Sequence, residues 1–408
     1  MKMNLKHKDI VLQCAQRYES FYLYDESSIS NSIEQLKTHF PQVDFLYSMK
    51  CNSNPRVLQC VFNHGLGADA ASSEEVRLAK TAGLPEHRIY YSAPGKSDED
   101  IRKTIFSSTL IADSIGEIER IGAMAEKMGT TARIGIRINP DFSFAEAGGN
   151  PSKFGIDEDQ VIKFLETGPL RFVKIAGIHV HLKSQELNDG MLSEYYKNVL
   201  KLGKRFSHIC GSLDFINMGS GMGVPFAQTD TPLDISALAA SIQDDMKQFC
   251  LACPNTRIFI ETGRYAVCKS GIYVTKVMDR KISHGKTYLI LKNTLNGFIR
   301  PSLAKLISNY TGGAEAAGAE PLFTSTNGFE VLTLKDDRKT KEKVSLAGNL
   351  CTSSDMIAED IYLPELERGD IVIITNAGSY GAVLSPFQFS SQERPKELFL
   401  TENGDVIE

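Results

Sequence analysis

The chain has 408 residues, a formal net charge of −5 and an ordinary composition, 42% hydrophobic and 23% charged with 32 glycines, which predicts a folded protein of two or three domains or one large barrel with a smaller unit. The acidic balance excludes the clustered Lys and Arg that nucleic acid or an anionic membrane surface requires. No apolar run is long enough to span a bilayer and the polar segment Met1–Asp9 lacks a secretion signal, so a cytoplasmic location is expected.

In chain order, Ser20–Tyr24 reads as a strand that joins a later β-rich domain. From about residue 45 to 262, short apolar runs alternate with longer amphipathic stretches. The runs are Phe45–Met49, Leu66–Ala70, Ile89–Ser92, Thr109–Ala112, Arg133–Ile138, Ile175–His181, Leu213–Met218 and Ile258–Glu261. Between them, Ser73–Ala79 and Ile115–Ile121 show helical apolar spacing, with Ser72 and Ser114 as N-caps. Strand followed by helix, eight times over, predicts a parallel (β/α)8 TIM-like barrel over residues 26–270. Beyond it, Ile272–Val277, Thr287–Leu291, Phe329–Leu334, Lys343–Ala347 and Asp370–Ile374 read as strands joined by turns, with few helical stretches. Residues 1–25 and 271–408 are therefore expected to form a β-rich domain, with a loop at the Gly/Ala-rich stretch 312–318. Eight scattered cysteines lack a disulfide spacing, which suits a reducing compartment. Cys250 and Cys253 form a CxxC with no second ligand pair, so helix-end packing is expected and no metal.

Barrels of this kind place their chemistry at the C-terminal ends of the strands. Lys50 follows the first run, Asp69 lies at the end of the second, His181 ends the sixth, Gly219 follows the seventh and Glu261 ends the eighth. A lysine there is either a surface ion pair or an amine partly desolvated for attack on an aldehyde. His179 and His181 share a strand face, as a metal pair or as one structural imidazole beside one that stacks on a ring. Ser184 could donate to a phosphate, and Gly219-Ser220-Gly221-Met222-Gly223 lets backbone N–H groups approach one closely. Arg264 and Arg300 carry charge for a phosphate or carboxylate, or pair at the surface. Glu261 is either a salt-bridge partner of Arg264 or Arg137, or a carboxylate facing a pyridine nitrogen. In the β-rich part, Cys351 could return a proton to carbon and Tyr380 could bind phosphate. Taken together, these are the parts needed to hold and use pyridoxal 5′-phosphate.

With these residues in view, the chain resembles the fold type III pyridoxal-dependent decarboxylases, the group of the diaminopimelate, ornithine and arginine enzymes. Tyr47-Ser48-Met49-Lys50-Cys51-Asn52 is similar to their Tyr-Ala-x-Lys-Ala-Asn, and Asp69-Ala70-Ala71-Ser72-Ser73-Glu74-Glu75 to their Asp-x-Ala-Ser-x-x-Glu. The resemblance implies that Lys50 carries the cofactor, His181 stacks on its ring, and Glu261 of Glu261-Thr262-Gly263-Arg264 pairs with the ring nitrogen. Ser184, Gly219, Ser220, Gly221, Gly263, Arg264 and Tyr380 are implied as phosphate contacts, with Asp69 also at the cofactor. Arg300-Pro301 resembles a pair whose arginine meets a substrate carboxylate. Cys351 matches a proton donor that crosses a two-fold interface, which implies a homodimer with shared active sites.

The departures bear on substrate. Lys183, Ser220 and Thr262 replace Gly, Gly and Pro of the family pattern. Thr352 follows Cys351 where the diamine-forming enzymes carry Asp or Glu, the acid that holds a distal amine, and Ala304 replaces a tyrosine of the diaminopimelate enzymes. The Cys351-Thr352-x-x-Asp355 pattern resembles the branch acting on amino acids with a conjugated distal end, with Thr352 and Asp355 at the substrate. Examples are citrate-linked diaminopropionate or serine units in carboxylate-siderophore biosynthesis, the reading favoured here, and intermediates of aminoglycoside side-chain assembly. The alternatives are a meso-diaminopimelate decarboxylase of lysine biosynthesis, an amino-acid racemase, and a non-catalytic homologue. Cys351 in its motif disfavours the racemase, and the intact Lys50 disfavours the last.

Overall fold

The computed structural model describes residues 5–144, 148–168, 170–226, 229–310, 328–335 and 340–408. It divides into two units, one formed by Ser30–Val224 and Pro232–Ala266, the other by Met1–Ile29, Pro225–Thr231 and Val267–Glu408. The stretch 312–318, expected to be a loop, lies outside the described residues.

Among the described residues of the first unit, eight parallel strands follow one another around a closed sheet. They are Val43–Ser48, Gly67–Ala70, Ile89–Ser92, Thr109–Ala112, Ala132–Asn139, Val173–His179, Phe215–Asn217 and Arg257–Thr262. Each expected run overlaps one of them, and Arg257–Thr262 closes the barrel by pairing with Val43–Ser48. A two-residue strand, Ile156–Asp157, adds beside Ala132–Asn139. Parallel strands buried on both faces read as continuous apolar runs, which is why the pattern was visible. The helices between them start where a side chain satisfies an orphan N–H. Ser72 Oγ accepts from Glu75 N and Ser114 Oγ from Glu117 N, both at 3.1 Å. Ser97 and Asp100 add a reciprocal capping box.

The barrel interior is filled by Leu46, Tyr90, Ile111, Ala176, Phe215 and Phe259. Tyr90 meets Phe215 and Phe259 edge-on, with ring centroids 5.2 and 4.9 Å apart. Three rings fit because the neighbouring strands give way. A Cβ added at Gly177 would lie 2.5 Å from the Phe215 ring, and one at Gly135 would lie 2.5 Å from Ile111 Cδ1.

In the second unit the long strand Gly271–Ser283 pairs antiparallel with Ser20–Asp25, Lys286–Leu291 and Ile371–Ile374. Lys286–Leu291 runs parallel to Lys341–Gly348, which pairs in turn with Met356–Pro364. Ser20–Asp25 also runs parallel to Lys396–Leu400. The helix Leu5–Arg17 covers one face of this sheet, with Val11, Cys14 and Ala15 against Phe21, Leu23, Val274, Ile373 and Leu398. Among its few helices is Ile299–Tyr310, whose Pro301 sits in the first turn, where the ring costs no helical hydrogen bond. All eight cysteines are free thiols, and Cys250 and Cys253 stand at the end of the helix Ile235–Ala252. No helix among the described residues is long and apolar enough to cross a membrane.

Gly177→Ala tests the barrel packing. It is expected to cost about 1–3 kcal/mol by overpacking, read as a lower thermal midpoint. Adding Phe215→Leu should recover part of that loss; strict additivity of the two changes would show that the ring and the glycine are not in contact.

Candidate active site

Four adjacent strand ends set the centre of the barrel mouth. The register places Arg137 beside His179 and His179 beside Asn217, and Asn217 beside Phe259, two residues before Glu261. Glu261 is 3% exposed. Asn217 Nδ2 donates to its Oε1 at 2.9 Å, and His179 Nε2 lies 3.0 Å from the same oxygen. Burial alone would raise this carboxyl, but the adjacent imidazoles and Lys50 outweigh it and hold Glu261 well below the usual carboxylate range. Asn217 Oδ1 meanwhile accepts from Gly219 N at 2.9 Å, so one amide side chain ties the charge to the glycine loop.

That loop is held close to its neighbours. Gly219 and Gly221 have φ of 65° and 120°, and a Cβ at Gly219 would run into the Val180 carbonyl and the His181 ring. Ser220 N donates to His181 Nδ1 at 3.1 Å, while His181 Nε2 lies 3.2 Å from Ser184 Oγ. A nitrogen that accepts cannot carry the proton, so the neutral ring is the Nε2–H tautomer, donating to Ser184. Burial pulls the His181 imidazole down to about 3; Glu261 opposes this, and Lys50 and Arg137 add to it. Beneath the loop, Tyr195 Oη is within reach of the Val180 and Met218 carbonyls at 2.9 and 2.8 Å, and Tyr196 Oη donates to Ser220 O at 3.1 Å.

Lys50 lies in a short turn, Met49–Cys51, that buries its two neighbours and leaves Lys50 itself exposed. The desolvation expected of the strand end is thus absent from the lysine. It falls on the acids beside it. Asp69, 4% exposed, accepts from Ser48 Oγ at 3.0 Å and from Ser92 Oγ. Burial and the Glu261 charge raise Asp69 above its ordinary range, with Lys50 opposing. Glu75 is pushed up to about 7 by burial although it accepts from Ala71 N at 2.6 Å. Gly263 packs against Cys51 with no room for a Cβ, and Arg264 next to it is 5% exposed.

The second unit carries the other five expected residues. Arg300 is fully buried, its guanidinium 4.9 Å from the Phe226 ring centre and 5.1 Å from that of Phe329, with Nη1 donating to Ser379 O at 3.3 Å. Tyr380 follows at 4% exposure with φ of 54°, a left-handed conformation that costs a tyrosine energy. Cys351 is exposed. Thr352 Oγ1 lies 2.8 Å from Ser354 Oγ. Asp355, expected at the substrate, anchors the loop. Its Oδ1 accepts from Thr294 Oγ1 and from Leu295 N at 2.9 Å, its Oδ2 from Leu350 N at 3.0 Å, and it is 2% exposed. Gly348 leaves the room that this carboxylate fills.

Asn217, Ser48 and Ser92 were missed as site residues, because their signal is pairing across strands. Among the described residues no group of three His, Cys, Asp or Glu could hold a metal ion. The residues at the barrel mouth fit pyridoxal phosphate, with a backbone cup closed to any Cβ, a neutral flat imidazole, a lysine and an anionic carboxylate.

Comparison with known proteins agrees. The pyridoxal-binding domain of pyridoxal-dependent decarboxylases matches residues 26–268. The L-glutamyl-[BtrI acyl-carrier protein] decarboxylase of Niallia circulans is 33% identical, over 98% of this chain and 93% of its own length. The 2-[(L-alanin-3-ylcarbamoyl)methyl]-2-hydroxybutanedioate decarboxylase of Staphylococcus aureus is 26% identical, over 94% of both chains. Among solved structures, diaminopimelate decarboxylase from Helicobacter pylori complexed with L-lysine superposes with a TM-score of 0.80 at 27% identity, covering 97% of this chain and 95% of that one.

The neutrality of His181 can be checked by its pH response. An unfolded imidazole takes up its proton near 6.5 and the folded one near 3, so the unfolded chain holds more protons in between. The stability this contributes is present above 6.5 and is lost as pH falls towards 3. In the cofactor-free protein the His181 ring resonances should stay flat from about pH 8 to about pH 5; a titration near neutrality would mean that the ring is hydrated.

Proposed function

We propose that this chain, which belongs to the pyridoxal-dependent decarboxylase family, removes the α-carboxylate of an amino acid whose distal end is conjugated rather than a free ammonium. The family, the enzymatic activity and the cofactor follow from the match over residues 26–268 and the full-length relatives; the substrate class is the proposal. One observation carries it. The loop 349–355 holds a single acid, Asp355, and both of its oxygens are taken by Thr294, Leu295 and Leu350. The tip Cys351-Thr352-Ser353-Ser354 therefore offers hydroxyls and a thiol but no carboxylate to a distal ammonium. Two relatives support the reading through their names. One acts on a glutamyl unit on a carrier protein, the other on an alanin-3-yl group joined by a carbamoyl linkage to a hydroxybutanedioate. The second kind matches the citrate-linked substrates of carboxylate-siderophore biosynthesis. Arg300, the residue that would favour diaminopimelate, is enclosed by Phe226 and Phe329.

In this reading Lys50 would hold the cofactor through Nζ, while Ser184, the backbone of Gly219–Gly221, Arg264 and Tyr380 would hold its phosphate. Pyridoxal phosphate, when bound, supplies the electron sink into which the bond to CO2 breaks. His181 would lie against the ring as a neutral plane, and Glu261 would keep the ring nitrogen charged. Cys351 would deliver a proton from Sγ to the carbon that has lost CO2. Its exposure at a loop tip supports delivery into the site of a second copy, and so a homodimer with shared sites. The free thiols suit a cytoplasmic location.

Lys50→Ala should abolish turnover while the protein stays folded, and Cys351→Ala should be nearly inactive. Mixing and re-equilibrating the two in equal amounts should restore about a quarter of wild-type activity, since half of the dimers then hold one intact site. No recovery would count against shared sites. Offered meso-diaminopimelate in one tube and citryl-diaminopropionate, citryl-serine or carrier-bound glutamate in others, the loaded enzyme should release CO2 only from conjugates, read by mass spectrometry. Comparable turnover of diaminopimelate would overturn the substrate class. Thr352→Glu should raise kcat/KM for free-ammonium substrates by roughly tenfold, through one charge-assisted hydrogen bond.

A further inference from the structure

His179 is the one imidazole in the barrel mouth to which the mechanism gives no task. It is 1% exposed, and neither Nδ1 nor Nε2 makes a well-aligned hydrogen bond among the described residues. Burying a polar ring without partners costs free energy, and an apolar residue of similar size would fill the same space without that cost. The polar atom His179 does meet is Glu261 Oε1, at 3.0 Å from Nε2. Asn217 Nδ2 reaches the same oxygen at 2.9 Å.

Glu261 is therefore gripped on one side only. Oε1 faces two nitrogen groups, while Oε2 accepts no hydrogen bond among the described residues. His181 Nδ1, 3.9 Å from Oε2, already accepts from Ser220 N and has no proton to give. We infer that His179 is a positioning residue for the reaction. With Asn217 it fixes the plane of the Glu261 carboxylate and keeps it ionised, so that Oε2 alone is presented to the cofactor ring nitrogen. The inference rests on the reading of Glu261 as the partner of that nitrogen. It assigns to His179 the proton affinity of the ring, exerted through Glu261, and predicts that losing the imidazole lowers catalysis while substrate still binds.

The strand register makes this arrangement robust. His179 and Asn217 are paired neighbours on adjacent strands, and both their side chains reach Glu261 from the next one. A carboxylate held by the Asn217 hydrogen bond and flanked by the His179 ring at 3.0 Å has little freedom to rotate, and an oriented carboxylate acts on a ring nitrogen far better than a mobile one.

The test uses the wild type and three variants. In the cofactor-free wild type, the nitrogen shifts of His179, assigned through its bonded neighbours, should show a proton on Nε2; an Nδ1–H tautomer with bare Nε2 facing the carboxylate would overturn the inference without any variant needing to fold. In holoenzyme loaded with ring-15N pyridoxal phosphate, His179→Leu should move the ring nitrogen resonance towards the unprotonated value. It should also lower kcat by roughly tenfold with KM little changed. His179→Gln, which keeps an N–H donor, should recover most of both effects, which a packing role would not produce. Glu261→Gln separates the two layers. If it leaves the ring resonance unmoved, the reading of Glu261 falls and the inference with it. If it moves the resonance and His179→Leu does not, the inference alone is overturned.

Discussion

The barrel mouth is arranged around one buried negative charge, the carboxylate of Glu261. Removing an ion of that size from water costs several kcal/mol unless it is paired and hydrogen-bonded. Here the offset comes from Asn217 and His179, which the sheet register brings to the same oxygen. The charge then sorts its surroundings. Asp69, buried nearby, is raised while Glu261 is lowered, so two carboxyls at one strand layer hold protons with opposite tendencies. His181 stays neutral between them, oriented by Ser220 N and Ser184. Because Asn217 also binds Gly219 N, the position of the charge and the shape of the glycine loop are set together.

Much of this was legible in the amino-acid order, for a physical reason. Strands buried on both faces leave unbroken apolar runs, and parallel barrels place the polar residue that ends each run at the mouth. Lys50, Asp69, His181, Gly219 and Glu261 are singled out in this way. Asn217, Ser48 and Ser92 are not, because their contribution lies in contacts between strands 21 to 44 residues apart in the chain. The exposure of Lys50 was misjudged for a related reason. The turn spends its burial on Met49 and Cys51, which a linear reading cannot apportion.

The β-rich unit was less readable. Met356–Pro364 is an edge strand with exposed Glu359 and Asp360 in its middle, so its apolar alternation is broken. Lys396–Leu400 begins with a charged pair and shows only three buried residues. The helix Ile299–Tyr310 hides behind Arg300-Pro301, where the proline suggests a turn and the buried arginine suggests a surface. Asp355 looked like a ligand for the same kind of reason. Its partners, Thr294 and Leu295, lie about sixty residues earlier in the chain.

The anchoring of Asp355 separates shape from chemistry in the loop that follows Gly348. The base of the loop is clamped by a carboxylate filling the space that a glycine leaves, and none of residues 351–353 takes part in that clamp. The loop behaves like an exchangeable bit in a fixed chuck. Its tip can trade hydroxyl for acid, or small for large, without loosening the mount, so a scaffold of this kind can acquire new substrates through a handful of substitutions at a site that contributes little to holding the fold together.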